Sequence, residues 1–147
     1  MTIQELKQKL EVIKWLDKEI QGLQLEMQYL DEKLFKKSTL TQASVQTSRI
    51  NHVENKIVNI LELKENIQKR LDRVIKERLY TVGLIDKLSD PLERAVLRMC
   101  YVNHLEIWEI EDSISKSKTT IYRNKRRGVE NLAKILQTQK IRDDPLQ

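Results

Sequence analysis

The chain has 147 residues, 39% of them hydrophobic, 33% charged and 5% aromatic, with three glycines and two prolines. So few turn formers and aromatics exclude a large sheet sandwich and favour long helices, in one domain or one small domain plus an extension. The net charge of +5 is modest, so its placement matters more than its size.

The single cysteine, Cys100, excludes an intramolecular disulfide and sits in the apolar run Val96, Leu97, Met99, Cys100, where a buried, inert thiol is expected. No apolar stretch approaches the roughly 20 residues that span a bilayer. The amino terminus has no signal-peptide apolar region. A cytoplasmic protein with no membrane partner is expected.

From the amino terminus, Leu16, Ile20, Leu23, Met27, Leu30 and Leu34 alternate steps of four and three, the spacing of a coiled-coil seam. Ile3, Leu6, Leu10 and Ile13 continue it upstream, but the two successive steps of three at Leu10–Ile13–Leu16 should over-wind it locally. Gly22 is expected to allow close packing beside Leu23, and Trp15 to pack at the border of the stripe. Ser and Thr interrupt the pattern from Lys37 to Gln46, which predicts a connection, with Ser44 as N-cap of the next helix.

A second seam reads Ile50, Val53, Ile57, Ile60, Lys64, Ile67, Leu71, Val74, Arg78, and Lys64 and Arg78 can lay their stems along it. Val58, Leu61, Leu63, Ile75, Leu79 and Val82 widen this face beyond two strands. Two matched seams with a short link predict a long antiparallel helical hairpin, each arm about 50 Å. The widened face predicts a homo-oligomer, a dimer foremost. His52 and His104 lack partners at metal-ligand spacing and read as surface or capping residues.

After Gly83 shorter units begin. Asp90 as N-cap, Pro91 as first helical residue and Glu93 as reciprocal capping-box partner start a helix that buries Leu92, Val96, Leu97, Met99 and Cys100. It should end near Tyr101–His104, with Asn103 left-handed. Glu106–Ile114 reads as a short helix with Ile107, Ile110 and Ile114 on one face, and Ser115-Lys116-Ser117 as a turn. Ser117 then caps a final helix with Ile121, Val129, Leu132, Ala133 and Leu136 inside.

From Ser113 to Val129 there are six bases (Lys116, Lys118, Arg123, Lys125, Arg126, Arg127) and no acid, whereas Glu106, Glu109, Glu111 and Asp112 load the preceding helix. A charge split this sharp across a turn suggests one helix meant for a polyanion and one kept away from it. A short helix, a tight turn and a longer basic helix form a helix-turn-helix that places its second helix in the major groove of double-stranded DNA.

The segments Leu88-Ser-Asp-Pro-Leu-Glu-Arg-Ala-Val-Leu-Arg-Met, Tyr101, Ile107-Trp-Glu-Ile110, Ser117-Lys-Thr-Thr-Ile-Tyr-Arg123 and Gly128-Val-Glu-Asn-Leu132 resemble region 4 of bacterial sigma factors. They are most similar to the region-4-like module of phage late-gene transcription regulators of the RinA and ArpU kind, over about residues 84–137. The chain departs from that pattern at Glu111, where the module has a small residue. It also departs at Lys116, where the module buries an aliphatic side chain, and at Ser115, where it has a turn glycine. The resemblance implies that Lys118, Thr119, Thr120, Tyr122, Arg123 and Arg126 face the groove, and that RNA polymerase is a second partner.

The chemistry of these residues agrees. A helix N-terminus offers free N–H groups to phosphate, Arg can grip guanine through two hydrogen bonds, and Tyr or Thr can touch phosphate or a thymine methyl. Lys116, Lys125 and Arg127 are expected to hold the DNA backbone, with Ser117 at the cap completing the interface.

The sequence therefore predicts an all-α protein: residues 1–83 a coiled-coil hairpin, 84–137 a helix-turn-helix domain, 138–147 a flexible tail. The expected function is sequence-specific transcription regulation, phage-borne and directed at late promoters. The alternatives are a small terminase-type packaging subunit, or a coiled-coil adaptor or inhibitor of a host protein that does not read DNA. No glycine-rich phosphate loop, Cys/His metal cluster or activated nucleophile is legible, so neither an enzyme nor a cofactor is expected.

Overall fold

The computed structural model describes residues 1–43 and 47–143, and the side chains of all of these except 37–43, 47–51 and 53. Among them every regular element is helical: α1 (Ile3–Glu11), α2 (Ile13–Ala43), α3 (Thr47–Ile85), α4 (Pro91–Leu97), a π-helical turn (Arg98–Val102), α5 (Ile107–Ile114) and α6 (Lys118–Asp143). The chain divides into two compact units, residues 18–76 and residues 1–17 with 77–147.

In the unit 18–76, Leu30, Ile60, Leu71 and Val74 are buried, while Ile20, Leu23, Met27, Leu34, Ile57 and Ile67 are half-buried. The expected seam positions of both long helices are thus the covered ones. Lys64 pairs with Asp31, and Arg70 Nη2 lies 2.7 Å from Glu19 Oε1. The residue number rises in one helix as it falls in the other, the order that antiparallel partners give. Lys64 is half-buried, its charge carried to the Asp31 carboxylate at the seam edge.

Some expectations for this region do not hold. Of the residues assigned to a widened buried face, Val58, Leu61 and Leu63 are about half exposed and Leu79, outside this unit, is 63% exposed, while Ile75 and Val82 are half-buried. Gly22 is exposed, and a Cβ there would meet nothing within 4 Å, so it is not a close-packing glycine. The interruption expected from Lys37 is helical backbone as far as Ala43. Ser and Thr lower helix propensity only slightly, and no Gly or Pro stops the chain there. The Ser44 cap lies outside the described residues, and so do the side chains of Ile50 and Val53.

The second unit joins the two ends of the chain, residues 1–17 with 77–147. Leu6, Leu10 and Ile13 are fully buried in one cluster with Leu84, Ile85, Leu88, Leu97, Tyr101, Val129, Leu132 and Ala133. Residues at the amino terminus therefore complete the carboxy-terminal core. Thr2 starts α1 with a capping box: its Oγ1 accepts from the Glu5 N–H at 3.1 Å, and Glu5 Oε2 accepts from the Thr2 N–H at 3.1 Å. The two successive steps of three mark an interruption at Val12 between α1 and α2, and not a continuous over-wound rod. Ile3 and Trp15, placed by the sequence at the stripe, are 50% and 67% exposed.

A second cluster, Val96, Ile110 and Ile121, ties α4, α5 and α6 together, with Leu92, Met99, Leu105, Ile107 and Ile114 around it. Asp90 caps α4, its carboxylate accepting from the Leu92 N–H at 2.8 Å and the Glu93 N–H at 3.4 Å. Glu93 does not return the cap. It is buried, and its two carboxylate oxygens accept from Asn131 Nδ2 at 2.9 and 3.1 Å, because a buried carboxylate needs a donor more than an exposed N–H needs an acceptor.

The π-helical turn lets the Asn103 N–H bond Arg98 O at 2.9 Å, so Asn103 stays right-handed and His104 takes the left-handed position (φ 56°) instead. The tail expected from residue 138 is helical to Asp143, and 144–147 lie outside the described residues.

Leu10→Ala should lower the stability of this unit by about 2–5 kcal/mol, read as a shift in the urea midpoint. An unchanged midpoint would detach α1 from the core.

Asp17 pairs with Arg78 and lies 3.0 Å from His104 Nε2. Burial pushes its carboxyl up, but the hydrogen bonds and charges of His104 and Arg78 together outweigh that and hold it below its ordinary value. Ionised Asp17 therefore stabilises the fold above the unfolded-state pKa, and that contribution disappears as pH falls through the lower folded-state value. Unfolding titrations from neutral to acid pH should show the advantage of the native chain over Asp17→Asn shrinking with acid. An advantage constant with pH would make it packing alone.

Candidate nucleic-acid interface

Glu106, in extended conformation, begins α5, whose apolar face (Ile107, Ile110, Ile114) packs on α4 and α6. α5 stops at Ser115, which is left-handed (φ 54°, ψ 43°) and donates its N–H to Glu111 O at 2.9 Å. A serine thus carries out the reversal that glycine usually serves. Lys116 and Ser117 are exposed. The Ser117 Oγ accepts from the Thr120 N–H at 3.3 Å and lies 3.0 Å from Thr120 Oγ1, while Ser117 O accepts from the Ile121 N–H at 3.0 Å. Ser117 is the cap of α6, as its spacing indicated.

The inner side of α6 is Ile121, Asn124, Gly128, Val129, Leu132 and Ala133, all buried. Asn124 donates Nδ2 to Thr120 O at 2.8 Å, so its amide is satisfied within its own helix. Gly128 marks the closest approach to α4: a Cβ there would lie 3.1 Å from Leu97 Cδ1 and Cγ.

With the inner side so fixed, the helical period of 3.6 residues turns the rest outward. Lys118, Thr119, Tyr122, Arg123, Arg126 and Arg127 are exposed, and Thr120 and Lys125 are half-buried. Thr119, Arg123 and Arg126 stand opposite the buried side. Tyr122 and Lys125 occupy one flank, Thr120 and Arg127 the other. Among the described residues Lys116, Lys118, Arg123, Arg126 and Arg127 join no ion pair. Lys125 Nζ lies 5.2 Å from the Tyr101 ring centre, a cation–π distance.

The flank of Tyr122 and Lys125 borders a groove of about 380 Å³, lined by Ile3, Lys7, Tyr101, Tyr122, Lys125, Arg126, Val129 and Glu130. Lys7 was not among the residues the sequence pointed to. It lies between Leu6 and Leu10, and nothing in that local pattern says that α1 lies beside α6.

Tyr101 forms part of this wall with its hydroxyl buried and unpartnered, and burial, with Glu11 and Cys100 adding, pushes its phenol up to about 12. Cys100 is half-buried, and burial pushes its thiol up against the opposing pull of Lys125, which keeps the thiolate scarce at neutral pH. Among the described residues one carboxylate oxygen of Glu111 is also buried without a partner, which carries a desolvation cost. Among the described residues no three of His, Cys, Asp and Glu group as metal ligands, and no helix is long and apolar enough to cross a membrane.

Residues 34–133 match the family described as Protein of unknown function (DUF1492), and the chain belongs to that family. Neither the curated proteins nor the solved structures contain a match to it.

The left-handed turn gives a direct check on how α6 is seated. Ser115→Gly should raise stability by up to about 1–2 kcal/mol, whereas Ser115→Val should lower the thermal midpoint, because a β-branched residue tolerates a positive φ least. Equal midpoints for the two variants would mean that the turn does not hold this conformation in solution.

Proposed function

We propose that this member of the DUF1492 family is a sequence-specific, double-stranded-DNA-binding transcription regulator. On this reading α5, the Ser115–Ser117 turn and α6 act as a helix-turn-helix of the sigma region 4 kind, and α2 with α3 forms a helical hairpin. The observation that carries it is the state of α6: its inner side is buried in packing, while Arg123, Arg126 and Arg127 on the remaining surface are exposed and, among the described residues, join no ion pair. Cations left in water without acidic partners can exchange their counterions for phosphates at little cost.

Lys118, Thr119 and Thr120 bring the helix N-terminus and its free N–H groups to the duplex, and Arg123 and Arg126 reach base edges. Lys116, Ser117, Tyr122, Lys125 and Arg127 hold the backbone on either side. The likeness to phage late-gene regulators adds late promoters, RNA polymerase as partner and the bacterial cytoplasm as setting. Val58 and Leu61, exposed and about one turn apart on α3, support pairing with a second copy through residues 18–76.

Selection of the full chain on random duplexes, coupled to mass by light scattering, tests this reading. A single enriched palindrome bound by a dimer is expected. Arg123→Ala or Arg126→Ala should lower discrimination between that site and random duplex by about 1–3 kcal/mol for whichever arginine reads a base. Failure to enrich any sequence at any salt would falsify DNA reading and favour an adaptor. A ring assembly bound to DNA without promoter activation would favour packaging.

A further inference from the structure

We infer that α1 is part of the DNA-contacting surface: Lys7 completes a cleft with Lys125 and Arg126 of α6 that seats one strand's sugar–phosphate backbone. The inference rests on the DNA-binding reading above and adds to it a contact from the opposite end of the chain. α1 is locked in place because Leu6 and Leu10, on either side of Lys7 in its helix, are fully buried against α6 and its neighbours. Ile3 and Lys7, one turn apart, then form one wall of the groove, and Tyr122, Lys125, Arg126 and Val129 form the other.

The composition of the groove suits a sugar–phosphate unit better than a bare anion. Ile3, Val129 and the rings of Tyr101 and Tyr122 offer apolar surface to a deoxyribose, while Lys7 and Lys125 offer cations to a diester and Arg126 stands at the rim. Glu130 is the one acid in the wall, and among the described residues it forms no ion pair with any of the three. The cleft therefore retains net positive charge.

Placement also assigns a role. Lys125 and Tyr122 lie on the flank of α6 facing α1, beside and not opposite its buried side. A strand held there runs along the edge of the groove that Thr119 and Arg123 enter. Arg126, on the rim between the two, borders both. A contact of this kind fixes position and carries no sequence information.

The test is a set of salt titrations by fluorescence anisotropy, with the full chain on its selected duplex and on a random duplex. Lys7→Ala should weaken binding to both duplexes by the same factor and flatten the slope of log affinity against log salt by about 0.9. Lys7→Glu should weaken both further, and Lys7→Arg should restore both affinity and slope. Lys69→Ala, on α3 and paired with Glu65 at 3.4 Å, should change neither.

Thermal midpoints should not move in the Lys7 variants, since Lys7 is exposed. Unchanged affinity and slope for Lys7→Ala and Lys7→Glu, with Arg123→Ala still losing discrimination, would overturn the cleft and leave the DNA reading standing. Loss confined to the selected duplex would overturn it too, by making Lys7 a base reader. Absence of binding by the native chain to either duplex at any salt would remove both readings together.

Discussion

The constraint on which the carboxy-terminal unit depends is that α6 must bury one side completely while keeping a dense cationic surface in water. The two demands meet because the apolar positions Ile121, Val129, Leu132 and Ala133, with Asn124 and Gly128, all fall on a single side. At Gly128 the helix comes so near Leu97 that a side chain there would force its neighbour to move. With that side fixed, rotation of α6 is fixed, and so is the direction in which every lysine and arginine leaves it. Lys118, Arg123, Arg126 and Arg127 stay exposed in the fold, so their electrostatic capacity remains for a partner.

The turn before α6 carries local costs that its surroundings absorb. Ser115 adopts a left-handed backbone that costs an L-residue about 1–2 kcal/mol, and Lys116 contributes no apolar burial. What holds α5 to α6 is the cluster of Val96, Ile110 and Ile121 with Leu105, Ile107 and Ile114 packed against it. The seating comes from side chains at helical spacing on three elements. The turn sequence then has only to permit the reversal, which relaxes the demand for glycine. The buried, unpartnered oxygen of Glu111 is a second tolerated cost beside the same cluster.

Features governed by neighbours in sequence were legible from the residues. The Asp90–Pro91 helix start, the Ser117 cap and the phase of α6 each follow from spacings of a few residues, and all are present. Features decided by distant partners were not. Leu6, Leu10 and Ile13 have the same three- and four-residue spacing whether they meet a coiled-coil partner or a globular core, so periodicity alone extended the seam to the wrong unit. Glu93 satisfied a local capping rule, but burial beside Asn131 prevailed. The outward direction of the bases on α6 needed only its own sequence, whereas the place of Lys7 beside them needed the packing of α1.

In the unit 18–76 the seams carry charge as well as aliphatic surface, and the two do different things. Lys64–Asp31 and Arg70–Glu19 are partly exposed pairs, worth about 0–1 kcal/mol each, too little to drive association. Each pair holds its cation at the seam edge, where its charge meets a carboxylate of the facing helix.

Val58, Leu61 and Leu63 face outward from the same region, where they cost solubility unless another surface covers them. On the proposed reading a second copy covers them and brings a second α6 to the duplex. Two α6 helices entering successive major grooves lie about 34–36 Å apart. Breaking the pair then removes the second half-site contact entirely. Its loss follows protein concentration and not a constant factor, which separates a dimeric reader from two independent cationic helices.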